Sequence, residues 1–273
     1  MVAGFSLKQC GRTPQTKEDT IHQTDIITYQ FLHIVNSFIL LCAWPMLVSG
    51  QTDQSQKEVY LLFDEIIGIE NSALHYGTVY EEAHRVKSKR TKFFPGPEFV
   101  SGSLVFDGQS YFDLPLKYNV YDDELLMRVE QKLGGDILQL YQPSITSFMV
   151  NDHLFFNLNS PEVEPGFYEL MVEKPSFSLF KKHRKSLRQS LGEKLVFYEF
   201  LEEDASYFLH YRNKYSSITT IEALTALFPE HEIELGTFTK GLDPKLPFEQ
   251  RLSELLEYLD TLTVRETHKT QKN

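Results

Sequence analysis

Beyond Cys42 the sequence contains no cysteine, and the only two it carries, Cys10 and Cys42, lie near its start. Everything downstream is therefore without a disulfide framework, a thiolate zinc site or a cysteine nucleophile, and its stability must come from core packing. Positive charge is also scarce: 27 Lys and Arg stand against 38 Asp and Glu, a net charge of −11. That balance argues against a nucleic-acid partner, because phosphate binding rests on clustered cations. Long apolar runs are missing after Gly50, as are H-E-x-x-H, G-x-S-x-G, a P-loop and a dinucleotide fingerprint. The downstream histidines, His75, His84, His153, His183, His210, His231 and His268, have no histidine partner at i+2 or i+4 to place two ligands on one face. A metal site or a Ser-His-Asp triad assembled from distant residues stays open, since both are recognised by geometry. No catalytic, cofactor-binding or metal-ligating residue is assigned.

What is present begins with one apolar run, Phe31 to Gly50. Its dense part, Phe38 to Val48, has the length of a signal-peptide h-region, and Val48-Ser49-Gly50 before Gln51 offers the small residues a signal peptidase requires. The expectation is cleavage between Gly50 and Gln51, export to the periplasm or cell surface, and a mature chain of 223 residues with no membrane span. Residues 1–30 are polar and lack the Lys or Arg usually found directly before the apolar core, so they read as a non-native or extended n-region. The alternatives are an uncleaved anchor, since no charge occurs between Asp25 and Asp53, and a buried core helix.

After Gln51 the pattern is that of short strands with turns between them. Asp107-Gly108 between Ser103–Phe106 and Gln109–Phe112 predicts a two-residue hairpin turn, because both positions tolerate positive φ. Strands are expected between Glu58 and Tyr80, then at Leu116–Val120, Leu125–Val129, Ile137–Tyr141, Ile145–Val150, Leu154–Leu158, Gly166–Val172, Leu195–Leu201 and Tyr207–Tyr211. Even spacing without intervening helices means antiparallel neighbours. Phe93-Phe94-Pro95-Gly96-Pro97 reads as a loop, and 176–192 as a charged helix or long hairpin loop. After Ile218 the period becomes helical. Thr219 and Glu222 have capping-box spacing, and Phe248, Leu252, Leu255, Leu256 and Leu259 form one apolar stripe from about Pro247 to Asp260. The fold class is mainly β: an antiparallel meander, barrel or sandwich, over 57–218, with helices over 219–262 docked on it and a disordered tail at 263–273.

The stretch Gly102 to Leu126, G-S-L-V-F-D-G-Q-S-Y-F-D-L-P-L-K-Y-N-V-Y-D-D-E-L-L, resembles a group of uncharacterised exported proteins common in Bacteroidetes-type bacteria. Asn71–Tyr80, Phe148–Phe155, Gly166-Phe167-Tyr168 and Phe228-Pro229 fit the same pattern, while Pro115 and the leader depart from it. The resemblance implies export from a Gram-negative cell and transfers no activity.

Three constellations remain. Asp122-Asp123-Glu124 could supply an acid and base pair for glycoside hydrolysis, against the simpler reading of a solvated turn; Glu202-Glu203-Asp204 is the same case. The basic runs 85–92 and 181–188 form either one patch for anionic glycans, lipid headgroups or an acidic partner, or two solvated loops. The abundant Phe and Tyr build the core or stack on sugars. The sequence favours a non-enzymatic binding or assembly component of the bacterial envelope, with an envelope protein or glycan as partner and no cofactor. The alternatives are a periplasmic hydrolase using carboxylates or Ser and His, and a carrier of a small apolar ligand.

Overall fold

The computed structural model describes residues 57–58, 60, 74, 77–86, 88–129, 135–192 and 195–270, with side chains to 263. All described residues belong to the unit that spans 57–273. The leader, the Gly50/Gln51 junction and both cysteines lie outside them, as does most of the expected strand region from Glu58 to Tyr80. Where that region is described, Lys57, Glu58 and Tyr60 are helical instead of extended. Lys and Glu are strong helix formers, and the stretch has no alternating apolar face.

Among the described residues twelve strands form one antiparallel sheet: β1 (Thr78–Val79), β2 (Phe93–Phe94), β3 (Val100–Phe106), β4 (Gln109–Asn119), β5 (Glu124–Arg128), β6 (Ile137–Gln139), β7 (Ile145–Val150), β8 (His153–Ser160), β9 (Val163–Glu173), β10 (Phe177–Lys182), β13 (Ser206–Tyr211) and β14 (Lys214–Ile218). Their order is β1-β6-β5-β4-β3-β7-β8-β9-β10-β13-β14, with β2 beside the end of β4. Between β10 and β13 the chain leaves the sheet as a separate two-stranded ribbon, β11 (Lys185–Leu191) and β12 (Val196–Glu202). Thus 176–192 is neither helix nor loop. Its alternation of Phe177, Leu179 and Lys181 with Ser178, Phe180 and Lys182 is that of a strand apolar on both faces, and the charges obscured it.

Three tight turns set the register. Asp107-Gly108, Asn151-Asp152 and Arg212-Asn213 all have positive φ at both positions, the type I′ geometry whose twist matches that of the flanking strands. Asp113, also at positive φ, marks a bulge in β4: Leu104 faces Tyr111 and Gly102 faces Leu114, so β4 carries an extra residue. Pro115 is accommodated because β5 pairs with β4 only from Leu116 onward, so the missing N–H falls on a locally open edge.

The sheet curls until its inner face packs on itself. Tyr118 of β4 meets Phe148 of β7 (5.4 Å between ring centroids), Phe155 of β8 (5.0 Å) and Phe167 of β9 (5.8 Å) in one apolar cluster. Among the described residues no pairing joins the two ends of the strand order, so the sheet is open. The same inner face continues across β10, β13 and β14, where helices cover it. These are α1 (Ile221–Thr225), α2 (Glu232–Gly241) and α3 (Phe248–Thr270). Leu252, Leu255, Leu256, Leu259 and Leu262 of α3 are buried against Leu179, Leu209 and Ile218. The cap of α1 is Thr220, whose hydroxyl accepts from Ala223 N at 3.1 Å, one residue later than the Thr219 box; this start puts both Ile221 and Leu224 inward. Helix α3 runs through the expected tail to Thr270, since no Gly or Pro after Pro247 breaks it.

Candidate functional site

The acidic turn Asp122-Asp123-Glu124 lies between β4 and β5, and each of its carboxylates accepts hydrogen bonds from protein donors. Asp123, at φ 58°, accepts from Tyr118 OH (2.6 Å), Phe167 N (3.1 Å) and Lys182 Nζ (2.7 Å), so it fastens the turn to β9 and β10 across the curl. Gly166 makes this passage available. Its φ is 147°, and a Cβ there would collide with the Asp123 carboxylate and the Lys182 ammonium. Burial, then the Asp123 charge, raises the Tyr118 hydroxyl well above its ordinary value, keeping it a donor. Asn119 Nδ2 donates to both Asp122 (2.8 Å) and Glu124 (3.1 Å), and Gln139 donates to Glu124 (2.8 Å). Partial burial, then the neighbouring Asp122 charge, pushes the Glu124 carboxyl up. Two adjoining grooves of 350 and 390 Å³ flank this turn and share Asp122, Asp123 and Gln142. Asp123 thus bridges the curl, and all three carboxylates accept from protein donors.

A second polar group sits on the inner face, between the self-packed half of the sheet and the helix-covered half. Glu169 is 5% exposed, and strand alternation aligns it with Phe155 on β8 and Lys181 on β10. His153 Nδ1 donates to one of its oxygens and His183 Nε2 to the other, the latter at 2.5 Å, while Phe94 packs on both imidazoles. Burial works to raise the Glu169 carboxyl, yet the hydrogen bonds from His183 and His153 outweigh it, and its pKa lies below the usual glutamate value. Lys181 turns to Glu249 of α3 (2.5 Å), which also accepts from Tyr207 OH (2.8 Å), so the seam ties helix to sheet. Each imidazole aims at a different carboxylate oxygen. Among the described residues no group of three or more His, Cys, Asp or Glu is arranged to hold a metal ion.

The third place is the ribbon, and here the structure joins what the sequence left apart. Tyr198 N donates to Arg85 O and Phe200 N to Arg90 O, both at 3.0 Å, so the first basic run lies along β12; Lys185 Nζ donates to the carbonyls of Thr91 (2.9 Å) and Phe93 (3.0 Å). The first run and the later part of the second, from Lys185, thus meet along the ribbon, while Lys181 and Lys182 turn away to Glu249 and Asp123. Cross-strand register puts Leu187 beside Phe200, Gln189 beside Tyr198 and Leu191 beside Val196 on one face, with Arg188 and Glu199 (2.6 Å) on the other. The apolar face is anchored at its base, where Phe200 is buried and His84 packs on Phe200, Tyr198 and Tyr121. On that face exposure rises from Leu187 (36%) to Leu191 (85%), while Leu195 (49%), whose carbonyl accepts from Gly192 N, stands on the opposite face at the same end of the ribbon. Glu202 pairs with Lys185 on the ribbon (2.9 Å), and the other half of the Glu202-Glu203-Asp204 turn is exposed. Sequence reasoning missed the ribbon because it read β11 as part of a charged excursion; the alternation Leu187-x-Gln189-x-Leu191 was the available signal.

No protein-family model, curated protein or solved structure matches the chain.

Proposed function

We propose that this chain is an exported, non-enzymatic binding or assembly component of the bacterial envelope, and that the β11–β12 ribbon is its contact surface. The observation that supports this most is the apolar tip at Leu191 and Leu195, held out by a ribbon whose base is packed on Phe200. Exposed large apolar residues grouped on a projecting element are costly in water and characteristic of contact surfaces. The acidic turn supports the same reading, because Asp123 is engaged across the curl by Phe167 N and Lys182, and Asp122 and Glu124 are engaged by Asn119 and Gln139 of the adjoining strands. The test is fractionation of a Gram-negative cell expressing the chain or its Leu191→Glu/Leu195→Glu variant. Wild type is expected with the envelope fraction and the variant in the soluble periplasmic extract. Identical distribution of the two would overturn the assignment of the ribbon.

A further inference from the structure

The ribbon combines two properties that point to one kind of surface. Its apolar tip is flanked by positive charge: 85–90 and the ribbon segment 185–202 carry seven Lys and Arg against three Glu, within a chain of 27 and 38, while the neighbouring Lys92, Lys181 and Lys182 are taken up by Glu82 and Asp122, by Glu249 and by Asp123. Arg85 and Lys89 are exposed, and Arg90 and Arg188 both reach Glu199, at 3.7 and 2.6 Å, so a single carboxylate is shared between two guanidiniums. We propose that the ribbon docks on an anionic lipid surface, Leu191 and Leu195 entering the boundary between headgroups and acyl chains while the surrounding Arg and Lys meet the phosphates. This rests on the reading of the chain as an envelope-binding protein and names its partner.

The charge pattern selects this occupant. Apolar side chains inserted a few ångströms below the headgroups, ringed by Lys and Arg, are the physical signature of interfacial contact, and each basic residue near such a surface strengthens binding roughly fivefold. Helix α3, with Glu249, Glu254, Glu257 and Asp260 against Arg251 on the same stretch, presents the opposite sign. The acidic remainder of the molecule is therefore repelled from an anionic surface and the ribbon is the part turned toward it.

Sedimentation of the full chain with vesicles of pure phosphatidylcholine and of phosphatidylcholine mixed with phosphatidylglycerol tests this. The readout is the difference between vesicle types and between variants, since the apolar run at 31–50 contributes equally to every variant. Wild type is expected to bind the phosphatidylglycerol vesicles far better, with binding falling as salt rises. Leu191→Glu/Leu195→Glu is expected to abolish that preference, and Arg85→Glu/Lys89→Glu to weaken it by about 20-fold or more. The two leucines are exposed, so melting temperatures should match wild type; if the Glu pair fails to fold, Leu191→Ser/Leu195→Ser replaces it. Equal binding to both vesicles, or a preference unaffected by the substitutions, overturns the proposal. Loss of envelope association in cells without any lipid preference in vitro also overturns it, while leaving the contact surface in place with a protein or glycan as partner. Self-association of wild type that the leucine variant lacks, again without lipid preference, assigns the tip to a second copy of the chain and likewise overturns it.

Discussion

Glu169 is a carboxylate in a position that strand alternation reserves for an apolar side chain, and it is held there by two imidazole donors. Its pKa is lower in the fold than the ordinary value of 4.5, so the unfolded chain binds the proton more readily. The stability this contributes is fully present above about pH 4.5 and is lost as pH falls through the lower folded value. Urea midpoints measured across the acid range should decline steeply for wild type below about pH 4.5 and less steeply for Glu169→Gln, whose amide has no proton to gain. Parallel curves would remove Glu169 from any acid sensitivity of the fold. At this scale the sequence was unevenly legible. Asp107-Gly108 could be read directly, because the turn chemistry is local. The roles of Asp123, Gly166 and Glu169 depend on strands that meet only after the sheet curls, although Glu169 in line with Phe167 and Met171 was a visible break in the inner face of β9.

Among the elements, helix α3 has the most direct consequence for stability. Leu255 is 1% exposed and packs with Leu252, Leu256 and Leu259 against strands β10, β13 and β14. Leu255→Ala removes buried methyl groups and leaves a cavity, at an expected cost of roughly 2–5 kcal/mol. For a domain of this size that lowers the melting temperature by several degrees or more, and an unchanged transition in a thermal scan would mean that the helix is not structural. The stripe was readable from its i, i+4, i+7 spacing, as were nearly all strands from β3 to β9, whose alternation is undisturbed. Strand β12 agrees with the expected strand at Leu195–Leu201, but β10 and β11 were hidden because their lysines and arginines occupy strand positions, and composition alone suggests solvent there.

For the whole molecule, the mainly β class with its helical end agrees with what alternation and turn spacing imply, while the curl that joins β4 to β9 comes from the bulge at Asp113 and the Asp123 bridge, which have no sequence period. Export is the expectation that the apolar run at 31–50 carries, and N-terminal sequencing of protein recovered from an expressing cell's envelope tests it. A start at Gln51 is expected; an intact leader in the membrane fraction would instead favour an anchor. The strand order has a kinetic side as well. From β3 to β6 and again from β7 to β10 every strand pairs with its predecessor in the chain, so most of the sheet grows by closing loops of a few residues, each with a small entropic penalty. The distant pairings are chiefly β1 with β6, β3 with β7, β10 with β13 and the contact of 85–90 with β12. Most of the sheet can therefore assemble as hairpins in succession, while β1 and the 85–90 segment wait for partners that lie far downstream in the chain.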